Sequence, residues 1–312
     1  MYENMEMRKV FGDTLDKLME KDERIVVIDA DLAKANGTHG LRDKYPERAF
    51  DVGIAEQDMA SIAAGMAAYG FIPFITSFTP FATRRICDQI TISIAYAKRN
   101  VKIVGTDPGI SAELNGGTHM SMEDIGVLRS IPTMVIFEPV DAVQLAKALP
   151  KIVEYDGVVY IRMFRKATPI VFPDDYQFEL FKADTLRTGK DVTLFATGMM
   201  VKESLEAADM LKSEGIEAEV INIHTIKPID RDAVIASARK TGAVVTCENH
   251  NIIGGLRSAV AEVLSEEFPV PAKAVGVKDH FGEVAKIDYL KKKYHMTAND
   301  IVKAAKEAIA LK

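Results

Sequence analysis

Residues 50–85 read FDVGIAEQDMASIAAGMAAYGFIPFITSFTPFATRR. A helix is expected over 56–69, because Met59, Ile62, Ala63, Met66 and Ala67 recur on one face. Gly70 stops it, since glycine is the usual residue just past a helix end. The next run, 72–77, is rich in Ile, Phe and Thr and reads as a strand. A helix joined to a strand by so short a turn is the repeating unit of a parallel sheet. One residue does not suit mere packing. Glu56 puts a carboxylate at the front of an otherwise apolar helix.

The same alternation extends in both directions. Strands are expected at 25–29, 101–106, 133–137 and 158–163, with helices at 80–97, 121–129 and 141–153. Ser121 and Asp141 are placed as N-caps. Residues 167–188 hold two prolines and little periodicity, so they read as a linker. Alternation then restarts with strands at 192–197, 219–223, 244–248 and 272–277, and helices at 200–213, 231–237, 254–266 and 298–310. The fold class is α/β, as two consecutive domains: residues 1–168, a linker 169–188, and a smaller domain 189–312.

Composition excludes several classes. Of the 312 residues 27% are charged, and the net charge of −6 argues against a nucleic-acid binder. Cys87 and Cys247 lack CxxC spacing, which suits a reducing cytoplasm. No apolar run spans a bilayer, and the N-terminus has no apolar signal core, so a cytoplasmic protein without membrane contact is expected. Nucleotide-binding glycine motifs, zinc spacings and a GxSxG elbow are missing. Asp29 and Asp31 end a strand, a pattern equally common without a metal, and no metal ligands are assigned.

Three separated features point to one end of the first sheet. Glu56 starts a helix, where a carboxylate also simply meets the helix dipole. Phe78 and Phe81 follow the next strand, where core packing is the ordinary role of phenylalanine. The glycine-rich loop GTDPGISAELNGGTHMSMED, residues 105–124, follows the strand beyond and carries His119. Loops at the carboxyl ends of parallel strands are where α/β proteins keep their chemistry.

In order and spacing, GIAEQDMASIAAGMAAYGFIPFITSFTPFATRRICDQI and the NGGTH loop resemble the pyrimidine-binding domain of transketolases. The segment ENHNIIGGLRSAVAEVL is similar to the transketolase C-terminal domain. The resemblance covers essentially the whole chain. It implies thiamine diphosphate as cofactor and ketol transfer between sugar phosphates. Glu56 would bond the pyrimidine ring nitrogen and promote the proton transfer that activates the thiazolium carbon. A carboxyl group shielded from water suits that task, because low dielectric strengthens the shared hydrogen bond. Phe81 would stack on the pyrimidine, with Phe78 as a neighbouring wall. Ile54 would prop the cofactor's bend, and Asp31 would lie near it. His119 would stand beside the reacting carbon. Arg8 and Arg165 would hold the sugar phosphate, although a surface ion pair is the ordinary role of either.

Two departures bear on substrate and partner. Asn115 stands where the family has an acid that reads a donor hydroxyl, and Thr106 where many members have a histidine. The GDG motif of the diphosphate domain, which binds Mg2+, is absent. A separate diphosphate-binding subunit is therefore expected to hold most of the metal's ligands, in a two-plus-two assembly. Three alternatives stay open: a 1-deoxyxylulose-5-phosphate synthase, a 2-oxo acid dehydrogenase beta subunit, and a non-catalytic regulatory paralogue. Glycines Gly254 and Gly255 beside His250 frame either an anion site or, more simply, a turn.

Overall fold

The computed structural model describes residues 2–312. In chain order its strands are β1 (Ile25–Asp29), β2 (Ala49–Asp51), β3 (Ile72–Phe78), β4 (Lys102–Thr106), β5 (Val135–Phe137) and β6 (Val159–Met163). The second half adds β7 (Asp184–Arg187), β8 (Val192–Ala196), β9 (Ala218–Asn222), β10 (Thr225–Lys227), β11 (Val244–Asn251) and β12 (Ala272–Val277). One sheet has the order β10–β5–β6–β4–β3–β1–β2, the other β12–β11–β8–β9–β7. Neighbours are parallel except β10 on β5 and β7 on β9. The chain thus has the two expected α/β units with largely parallel sheets.

The first sheet is buried on both faces, which explains why its strands read as continuous apolar runs. Val27, Phe74, Val104 and Ile161 face a layer containing Phe11, Leu15, Leu145 and Leu149. Val26, Ile75, Ile103 and Tyr160 belong to the opposite layer, with Met59, Ala63, Ile90 and Ile94. Adjacent residues of each strand therefore divide between two helical layers, as the pleat requires.

Four expectations need correction. The helix expected over 80–97 is broken into Thr79–Ala82, a 3-10 turn at Arg84–Ile86, Cys87–Gln89 and a π-helix at Ile90–Tyr96. The break falls at Thr83, whose hydroxyl bonds the Thr79 carbonyl at 2.6 Å and whose backbone leaves the helical region. The helix expected from 121 begins at Asp124, and Ser121 is buried rather than capping. The linker is shorter than 169–188, because its end forms β7; that strand has no alternation to read and is fixed by pairing with β9. Finally, β10 leaves the second half of the chain and closes the edge of the first sheet.

Candidate active site

Strands β1, β3, β4 and β6 run parallel, so their carboxyl ends share one edge of the sheet. A buried polar web ties these ends together. Asp29 accepts from Thr38 at 2.8 Å and also from Thr76. Asn36 donates to Thr76 at 3.1 Å and accepts from Thr106 at 2.9 Å. Burial pushes the Asp29 carboxyl above the usual carboxylate range. The web gives the loops above it a rigid floor.

On that floor lies a connected row of side chains. Glu56 is the first residue of the helix Glu56–Ala68 and is only 4% exposed. Its carboxylate accepts a hydrogen bond from Arg85 Nη1 at 2.8 Å. The Arg85 guanidinium carbon in turn lies 3.9 Å from the centre of the Phe81 ring. Phe81 and Phe78 are 6.2 Å apart between centres. The His119 ring meets both edge-on, at 5.3 Å from Phe81 and 5.9 Å from Phe78. Its Nδ1 is engaged with the Thr118 hydroxyl at 2.9 Å. Arg165 covers Phe78 at 4.8 Å and donates from Nε to Asp107 at 2.5 Å. Burial lifts the Asp107 carboxyl above its ordinary value even with Arg165 beside it. The Arg8 backbone N–H donates to the Arg165 carbonyl at 3.1 Å, while the Arg8 side chain pairs with Glu6 at 2.7 Å.

Residues 8, 56, 78, 81, 119 and 165, distant in sequence, thus meet along one edge. Ile54, 77% exposed, lines a cleft with Glu56, Arg85 and Gln89. Asp31 has a left-handed backbone, φ 60°, and lies in a separate depression with His39, Arg42 and Asp51. Asn115 is exposed on the His119 loop.

Sequence reasoning missed two residues. Arg85 is one; its only signal was its place four residues beyond Phe81, on a helical path. Asn249 is the other. Its amide donates to the Pro108 carbonyl and accepts from the Ile110 N–H, both at 2.9 Å. Asn251 N–H bonds the Met122 carbonyl at 2.8 Å, and Gly126 N–H meets His250 Nε2 at 3.3 Å. The second domain therefore grips both ends of the His119 loop. Gly109, with φ +56°, lies so close that a Cβ would collide with the Asn249 side chain. Nothing in the sequence signalled this contact, because Asn249 and Ile110 are 139 residues apart. The glycine pair nearby is a turn: the Glu248 carboxylate itself accepts from Leu256 N–H at 2.6 Å and Arg257 N–H at 2.9 Å. That helix start already has its acceptor, although burial pushes the Glu248 carboxyl up to about 8.

Residues 3–170 match the pyrimidine-binding domain of transketolase, and residues 181–301 match the transketolase C-terminal domain. The chain belongs to the transketolase family. It is 55% identical to the 6-deoxy-6-sulfo-D-fructose transketolase subunit SqwH of Clostridium sp. (strain MSTE9), over 96% of this chain and 94% of that protein. It is 40% identical to one of the apulose-4-phosphate transketolase subunits of Phocaeicola vulgatus, over 87% of each. A solved structure described as a split gene transketolase, an inactive beta4 tetramer, superposes with a TM-score of 0.92 at 46% identity, covering 98% of this chain and 99% of that one. This transketolase-family chain contains both matched domains.

Proposed function

We propose that this chain supplies the pyrimidine half of a thiamine diphosphate site and transfers ketol units only with a separate diphosphate-binding subunit. One observation carries the reading: a buried carboxylate, Glu56, and an aromatic face, Phe81, are bridged by a single flat hydrogen-bond donor, the Arg85 guanidinium. A site that holds one flat donor in this way fits an aminopyrimidine whose ring nitrogen carries the proton it shares with Glu56. When bound, thiamine diphosphate supplies a carbon nucleophile and an electron sink.

The chain's own residues do the rest. Glu56 holds the proton at the ring nitrogen, and burial keeps water from competing for it. Phe81 would orient the ring by stacking with Phe78 as a neighbouring wall, Ile54 would support it from the cleft, and Asp31 would stand at the periphery. His119, oriented by Thr118, offers Nε2 to the substrate carbonyl or hydroxyl. Asn115 reads a donor hydroxyl without carrying charge. Arg165 and Arg8 bind the substrate's terminal oxyanion. The names of the two relatives support a sugar whose terminal group is a phosphate or a sulfonate.

The diphosphate and Mg2+ are assigned to the partner. A two-plus-two assembly is favoured by exposed Tyr69, Ile92 and Tyr96, which present apolar surface on neighbouring helical segments. No helix among the described residues is long and apolar enough to cross a membrane, and we assign the enzyme to the cytoplasm. The test is ketol transfer with thiamine diphosphate and Mg2+, for each chain alone and for both together. The donors are xylulose 5-phosphate, fructose 6-phosphate and 6-deoxy-6-sulfofructose. Transfer only in the mixture is expected. Transfer by this chain alone, or turnover of 2-oxo acids instead of ketoses, would refute the reading.

A further inference from the structure

Arg85 occupies the place that the proposed function gives to the cofactor's ring. A guanidinium is planar and delocalised and presents an N–H edge, so it can stack on an aromatic face while bonding a carboxylate. Arg85 does both at once, on Phe81 and Glu56. An aminopyrimidine would need the same carboxylate and the same ring. If both lie on one face of Phe81, they cannot be present together.

The anchoring of Arg85 is also light. Its side chain is 42% exposed, against 5% for Glu56. Among the described residues its guanidinium makes one hydrogen bond, whereas the buried Arg162 is held by Asp124, Glu138 and the Asn249 carbonyl. A long, half-exposed side chain held by one bond and one ring contact can turn into solvent by giving up those two alone. While it stays, it spares the Glu56 carboxylate the cost of lying buried and unpaired.

We propose that Arg85 is the gate of the pyrimidine site. It rests on Phe81 and Glu56 in the empty chain and swings toward solvent when the ring enters. The inference depends on the thiamine diphosphate reading above. The gate makes the binding-competent state a fraction of the whole, and the apparent affinity falls by that fraction.

The experiment is calorimetric titration of thiamine diphosphate, with Mg2+, into the two-subunit assembly. Wild type is compared with Arg85→Ala and Arg85→Lys. Arg85→Ala is expected to bind roughly three- to tenfold tighter, because nothing must be displaced. Arg85→Lys, which keeps the charge but loses the plane, is expected to fall between. Without cofactor, Arg85→Ala is expected to melt below wild type, since Glu56 loses its partner. A crystal structure of the loaded assembly is expected to show Arg85 off the Phe81 ring. Equal or weaker binding by Arg85→Ala, with Arg85 still stacked in the loaded structure, would make Arg85 a fixed wall and overturn the gate alone. Absence of binding by both forms would overturn the cofactor reading, and the gate with it.

Discussion

Two arginine–carboxylate groups in this chain share a chemistry and differ in every other respect. At the junction of the domains, Arg162 donates to Asp124 at 2.7 and 3.2 Å, to Glu138 at 2.6 Å and to the Asn249 carbonyl at 2.8 Å. Tyr160 adds a bond to Asp124 at 2.8 Å and Thr197 one to Glu138 at 3.0 Å. All of these side chains are fully buried. At the candidate site, Arg85 has one bond to Glu56 and an open flank. The first group is closed on itself, with its donors used inside the protein. The second leaves contacts unmade. Completeness of partners separates a charge that holds the fold from a charge that can exchange for a ligand.

The contrast is easiest to break at its closed end. Arg162→Met strands two buried carboxylates, so it is expected to cost about 3–5 kcal/mol of stability. Urea unfolding measures this, and an unchanged midpoint would show that the junction does not depend on its charges. Glu56→Gln tests the open end. It is expected to lower ketol transfer by the assembly about 100-fold or more while leaving the unfolding midpoint nearly unmoved. A collapse of stability in this variant would place Glu56 with the structural charges.

Lys102 sharpens the comparison, because it is buried like Arg162 but bonded to no carboxylate. Its Nζ donates to the carbonyls of Tyr155 at 2.7 Å and Gly157 at 2.8 Å. Burial pulls its pKa down to about 7. The folded chain therefore holds Lys102 neutral in a range where the unfolded chain protonates it. Stability present above the unfolded value is lost as pH falls toward the folded one. Between about pH 9 and pH 7.5 wild type should lose about 2 kcal/mol that Lys102→Met does not. Parallel stability curves for the two proteins would contradict this. The smallest effect is expected from Asn249→Ala, on the order of 1–2 kcal/mol, because Pro108 and Ile110 lose their partner. Turnover should fall with cofactor affinity retained, since the His119 loop is loosened and the Glu56 face is untouched. Loss of cofactor affinity would show that the grip serves the pyrimidine side instead.

The sequence made the parallel sheet legible because strands such as 25–29 and 72–78 are apolar on both faces. Short β-branched runs of that kind, alternating with helical periods, need a sheet covered on both sides. Glu56, Phe81 and His119 were legible through a motif, since each is tied to a local element. Arg85 was not, although it lies four residues from Phe81, because the helix it was assigned to is interrupted at Thr83. Asn249, β7 and β10 were invisible for a common reason. Their partners lie far along the chain, Asn249 and Ile110 being 139 residues apart, and local propensity carries no trace of such pairing.

The crossing of β10 into the first sheet bears on any attempt to cut this polypeptide in two. Removing everything after residue 188 would take away Thr225–Lys227 and leave the flank of β5 without its mate. A bare strand flank recruits other molecules, so the excised amino-terminal piece should form aggregates visible by light scattering, where the full chain does not. The seam between the halves is stitched from both sides, and neither half is a spare part.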